Sequence, residues 1–216
     1  MRKKAQAPRY ATPARTTEIP LQYHADVRDR IEDGDLLLFS GSIPFSKLIE
    51  RVSGGEYSHS AMLFRWGARV MILQAEFPQL QAVPASKFIE DYSGKVDWFR
   101  LTPEARRTFQ PARLLDAATH FLGHPFAVTD LLRVGLHNLL GTPLPVEKHP
   151  DHDFFCSEYV SHCYRHASVD LVPEKLEDVW VAPDDIAHSD KVEYVATLHW
   201  DADRRPDVLK RALGLD

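Results

Sequence analysis

Alternation between apolar and polar positions is strongest in two stretches of this chain. Ser58 to Phe64 puts His59, Ala61 and Leu63 on one side and Ser60, Met62 and Phe64 on the other. Val70 to Phe77 repeats the pattern, with Val70, Ile72, Gln74 and Glu76 sharing a face. A period of two predicts strands. Arg65-Trp66-Gly67-Ala68-Arg69 between them is a hairpin connection containing a glycine. With Trp66-Gly67 as a two-residue loop, Arg65 opposes Ala68, and counting outward sets His59 directly opposite Gln74. Opposed side chains have Cβ atoms about 5 Å apart, within hydrogen-bonding reach, and Glu76 is then diagonal and farther. A slip of one residue would break this pairing, so it is conditional on the register.

Other segments follow the same logic. Leu36-Leu37-Leu38-Phe39, after the turn Asp33-Gly34-Asp35, is a continuous apolar run suited to a strand buried on both faces. Val96 to Leu101 reads as another strand, and Val192, Tyr194, Ala196, Leu198 and Trp200 alternate as a last one. Helical periods occur over Pro44 to Val52, Ser86 to Tyr92, and from Pro111 to a stop at Gly123. Phe126 to Leu140 carries an apolar stripe that includes Val128, Leu131, Leu132, Leu136 and Leu139, and Gly141 to Pro150 is a proline-rich loop. Residues 173–187 read as irregular. The clearest helix starts within a residue or two of Cys156, with Cys156, Tyr159, Val160, Cys163, Tyr164 and Ala167 on one stripe and Asp151 and Asp153 available as caps.

Composition narrows the picture. A chain of 216 residues with 44% hydrophobic and 26% charged residues suits one globular domain. The net charge of −5 is uneven: residues 1–17 hold five basic side chains and no acid, leaving 21 basic against 31 acidic residues beyond them. The expected organisation is a basic arm over 1–24 and a single domain over 25–216, with 126–150 inserted as a lid-like segment. The acidic body argues against nucleic acid as a partner. The arm could touch an anionic membrane surface, although a solubilising terminus is the simpler reading. No apolar run follows Arg2-Lys3-Lys4 as a secretory leader requires, and no stretch is long enough to span a bilayer. The expected location is therefore cytoplasmic. Cys156 and Cys163 lie seven apart on one helix, about 10 Å along its axis, too far for a disulfide.

The chemistry centres on Cys156. A thiol in the first turn of a helix meets unpaired backbone N–H groups and the positive end of the helix dipole, which predicts a lowered pKa and a nucleophilic thiolate. Cys163, two turns on in the apolar stripe, is expected to be inert. An imidazole from His59 could take the thiol proton, and Gln74, or alternatively Glu76, could hold the ring and its tautomer. The Cys156 N–H is a natural oxyanion donor, the second donor being unassigned. Glu158, His162 and His166 share a helix side, but three ligands from one straight helix cannot surround an ion, so a solvated face is expected and no metal or cofactor.

Four motifs then carry a resemblance. Gly34-Asp35-Leu36-Leu37-Leu38-Phe39, Tyr57-Ser58-His59-Ser60-Ala61-Met62-Leu63 and Leu73-Gln74-Ala75 resemble the signature of NlpC-type cysteine peptidases. Phe155-Cys156-Ser157-Glu158 follows these strands instead of preceding them, with Gly123-His124-Pro125-Phe126 in between and Ala182-Pro183-Asp184-Asp185 before the last strand. That order resembles the circularly permuted, YiiX-like branch of papain-fold amidases, over about residues 31–200. The resemblance implies an α+β, papain-like fold with an antiparallel sheet packed on the Cys156 helix, with Cys156 as nucleophile and His59 as base. The third position, commonly glutamate in that branch, is Gln74 here. The expected function is an amidase or peptidase acting through a thioester acyl-enzyme on a small peptide, amide or acyl substrate. Acyl transfer or (thio)ester cleavage on lipid substrates is the alternative, and a catalytically silent binding module of the same fold is a second one. Tyr57, Asp35, Phe126 and Leu131 are the candidate substrate contacts.

Overall fold

The computed structural model describes residues 18–41, 55–129, 131, 153–175 and 177–200. The helix expected over 44–52, Asp151 and nearly all of the 126–150 segment beyond Thr129 lie outside these residues. The seven strands are β1 (Pro20–Gln22), β2 (Asp35–Ser40), β3 (His59–Trp66), β4 (Arg69–Glu76), β5 (Gln79–Pro84), β6 (Lys95–Leu101) and β7 (Val192–His199). They form one sheet in the order β1-β7-β6-β2-β3-β4-β5. Every neighbouring pair is antiparallel except β1 with β7, which is parallel.

Both faces of the sheet are covered, which explains why β2 reads as an unbroken apolar run. Leu36 and Leu38 join Met62, Phe64, Leu73 and Ala75 in a core under the helix α4 (Cys156–His166), which contributes Tyr159, Val160, Cys163 and Tyr164. Leu37 and Phe39 point the other way, with Ala61, Leu63, Val70 and Ile72, against Tyr23, Val27 and the helix α1 (Ala85–Asp91). Short helices α2 (Pro103–Arg106) and α3 (Pro111–His120) precede α4, and α5 (Pro183–Ala187) follows it.

Several boundaries differ from the sequence reading. The sheet begins at Pro20, inside the stretch assigned to the basic arm, because three residues are too few to show a period but enough to hydrogen-bond along β7. Gln79–Pro84 forms a strand, and the segment taken as irregular holds a 3-10 turn at Asp178–Trp180 besides α5. The β3–β4 turn is Gly67-Ala68, because Trp66 pairs with Arg69 and Met62 with Leu73. Gly67, at the first turn position, has φ +59, which glycine adopts without strain. Continued outward, this register sets Glu76 across from His59 and moves Gln74 one diagonal step away.

Two of the candidate substrate contacts are structural instead. Asp35 is fully buried and accepts hydrogen bonds from Arg100 Nε at 2.9 Å, Arg100 Nη2 at 2.8 Å, Trp98 Nε1 at 3.0 Å and the Glu32 N–H at 2.9 Å. Tyr57 is buried as well, and its hydroxyl donates to Asp97 at 2.6 Å. Asp35 is thus spent inside the fold, out of reach of a ligand. Asp35→Ala is therefore expected to lower stability by about 3 kcal/mol, the cost of stripping one member from a buried, hydrogen-bonded ion pair. Urea denaturation measures it, and wild-type stability in the variant would return Asp35 to the substrate surface.

Candidate active site

Helix α4 begins at Cys156, as its periodicity predicts, but without the expected cap. The N-cap is Phe155, and no side chain caps the first turn. Its free N–H groups serve the sulfur instead: those of Cys156 and Ser157 act on the thiol, together with the Ser60 N–H from β3. The Ser60 hydroxyl is buried, has no hydrogen-bond partner, and lies close enough to the sulfur to favour its anion. The thiol is thus held against the peptide that follows His59. Ser60 escaped sequence reasoning because it faces away from His59 in the alternating pattern, toward α4.

His59 opens β3 and packs its ring on Phe39, with centroids 5.2 Å apart. Its Nε2 lies 2.9 Å from Gln74 Oε1. Gln74 Nε2 donates to Glu76 Oε2 at 2.9 Å, and Gln81 Nε2, from β5, donates to the same oxygen at 2.7 Å. The proton positions are assigned from this chain. Glu76 accepts the amide nitrogen, so the Gln74 oxygen must face His59, and Nε2 must be the donor. Nδ1 is then the bare nitrogen, able to accept a proton. Gln74 and Glu76 are consecutive links, where the sequence posed them as alternatives. Gln81 is a further member that only the β4–β5 pairing of Gln74 with Gln81 brings in.

The electrostatics depart from expectation. Burial pushes the Cys156 thiol up, outweighing the N–H groups of Ser60 and Ser157 that pull it down. The helix start therefore does not deliver a lowered pKa here, because a desolvated sulfur loses more hydration than the first-turn amides replace. Cys163 is pushed well above the ordinary thiol value, again by burial. The His59 ring falls to about 4, burial outweighing its bond to Gln74. Glu76 is raised by burial, partly offset by Gln81. Burial thus favours the neutral form of both the thiol and the imidazole.

Around this centre, Phe126 and Leu131 pack with Ala127, Val179, Trp180 and Phe155, the residue before the thiol. On the other sheet face, Glu76 borders a cleft of about 390 Å³ walled by Val83, Pro84, Phe88 and Tyr92, with Lys87 and Asp91 also lining it. Phe39 links that wall to His59, its ring centroid lying 5.5 Å from Phe88 and 5.0 Å from Tyr92. On the polar side of α4, His162 packs at a tilt on His166, with centroids 4.6 Å apart, and meets Asp178 at 3.5 Å. No helix among the described residues is long and apolar enough to cross a membrane.

No family model matches this chain, and no curated protein matches it. Among solved structures it is similar to metalloprotein YiiX from Escherichia coli O157:H7, at 19% identity and a TM-score of 0.56, over 79% of this chain and 98% of that one. The chain has a YiiX-like fold.

The half-buried imidazole gives acid sensitivity a definite sign. Its folded-state pKa of about 4 lies below the ordinary 6.5, so the folded state binds fewer protons between these values. Its contribution is complete above pH 6.5 and is lost as pH falls toward 4, by at most about 3 kcal/mol given a partly accessible ring. Denaturant unfolding at pH 7 and at pH 4.5 should show a smaller loss in His59→Gln than in the wild type. Equal losses would mean that the ring is solvated.

Proposed function

We propose that this protein is a cysteine-nucleophile hydrolase that cleaves an amide or peptide bond through a thioester acyl-enzyme on Cys156. The observation that carries the reading is the chain His59–Gln74–Glu76–Gln81, which leaves His59 Nδ1 to accept a proton, together with the peptide of the next residue, Ser60, acting on the Cys156 sulfur. A structural histidine has no need of an amide locked by a carboxylate. We read the fold accordingly as papain-like and circularly permuted, consistent with the motif order and with the YiiX-like architecture.

In the first step His59 Nδ1 accepts the thiol proton while sulfur bonds to the substrate carbonyl carbon, and the carbonyl π pair moves to oxygen. The Cys156 N–H and the unpartnered Ser60 hydroxyl are the donors we assign to that oxyanion. The tetrahedral species collapses, the C–N bond breaks, and the amine leaves with the proton from His59. Water then gives a proton to His59 as its oxygen attacks the thioester, and the C–S bond breaks, restoring thiol and imidazole. Because burial favours the neutral pair, proton transfer accompanies attack. Gln74 keeps the ring in register and Glu76 keeps Gln74 from flipping. The similar protein is a metalloprotein; among the described residues no group of three His, Cys, Asp or Glu side chains converges on a point. No step is routed through a metal.

The weak basicity of His59 favours a second reading, a binding module without turnover. The two separate in one experiment. A panel of activated esters, thioesters and anilides should leave an acyl adduct on the Cys156 peptide, detected by mass spectrometry. Turnover should vanish in Cys156→Ala and fall by about 10³-fold in His59→Ala. Gln74→Ala should lose about 10–100-fold, with recovery in Gln74→Glu. Absence of any adduct across the panel would leave the binding module standing.

A further inference from the structure

Asp184 is a buried carboxylate for which the proposed chemistry has no use. It is 1% exposed, in α5, and its Oδ1 accepts the Glu56 N–H at 2.6 Å while its Oδ2 accepts the Tyr57 N–H at 3.2 Å. Those amides belong to residues 55–58, the run that delivers His59 to β3. Gly55 passes so close that a Cβ there would lie 1.8 Å from the Asp184 carboxyl carbon. Helix α5 does not need Asp184 for itself, because Asp185 already accepts the Ala182 N–H at 2.7 Å. Just upstream, the Val181 carbonyl accepts the Ser157 hydroxyl at 2.6 Å. Residues 181–184 thus fasten both the start of the nucleophile helix and the approach to the base.

We infer that Asp184 is a positioning residue whose ionised carboxylate clamps the Glu56 and Tyr57 amides, setting His59 relative to the Cys156 helix and slackening the site when it is protonated. Only the kinetic part of this inference rests on the hydrolase reading. Burial raises the Asp184 carboxyl to about 6, against the pull of the two N–H donors. The charged groups acting on it are His188, on its own helix, and Glu56, on the run it clamps. Glu56 is itself paired with Lys95 at 2.7 Å, and Lys95 reaches Asp97 at 3.1 Å. Neighbouring Asp185 faces Lys175 at 3.7 Å. The sign follows directly: the clamp needs the anion, so it holds above about pH 6 and lets go below.

Two readouts test it. Amide hydrogen-exchange protection at Glu56 and Tyr57, corrected for intrinsic rates, should drop below about pH 6 in the wild type and be low at every pH in Asp184→Asn. In kcat/KM against pH, the wild type should show an acid limb near 6, well above the His59 value. Asp184→Asn should lose that limb and fall about 10–100-fold at pH 8, mostly in kcat. Gly55→Ala, which keeps the charge but displaces it, should lower protection and kcat while leaving the limb in place, and serves if the first variant misfolds. Unchanged protection in Asp184→Asn or Gly55→Ala overturns the clamp whether or not hydrolysis is found. Reduced protection with no turnover in any form overturns the hydrolase reading and leaves the clamp intact.

Discussion

Covering the sheet on both faces is the constraint from which the rest of this structure follows. Strands β2, β3 and β4 run between α4 on one side and Tyr23, Val27 and α1 on the other. Polar side chains on these strands and beside them have little access to water, and a buried polar group left unpaired costs more than its bond returns when made. The chain answers with closed networks. Asp35 is satisfied by Arg100, Trp98 and a backbone amide, Asp97 by Tyr57 and Thr197, and Asp184 by the amides of 56 and 57. Two residues that looked like ligand contacts are parts of this internal bookkeeping.

At the candidate site the networks stay open. Gln74 is bonded to His59 and Glu76, but His59 Nδ1, the Cys156 sulfur and the Ser60 hydroxyl keep capacity that the fold does not consume. The same desolvation that makes such openings costly sets their titration, raising the thiol and lowering the imidazole. A site assembled this way begins from neutral partners, and its reactivity depends on geometry more than on stored charge. That places weight on the groups that hold position: Glu76 behind Gln74, Ser157 on Val181, and Asp184 behind the approach to His59.

Much of this was legible in the amino-acid pattern, for identifiable reasons. A period of two assigns faces, so His59, Gln74 and Glu76 could be grouped on one side of a hairpin without coordinates. A period of 3.6 set the start of α4 at Cys156 and the inward direction of Cys163. The unbroken run Leu36–Phe39 announced a strand buried twice. Alternation does not fix register, however: moving the turn from Trp66-Gly67 to Gly67-Ala68 kept the faces and exchanged the partners. The orientation of the Gln74 amide depends on Glu76 and, through β5, on Gln81, a strand that its own composition did not reveal. Strand β1 has three residues and acquires its identity from β7 alone. The direction of each pKa shift was decided by burial, a sum over neighbours distant in the chain, where local sequence could register only the favourable helix start.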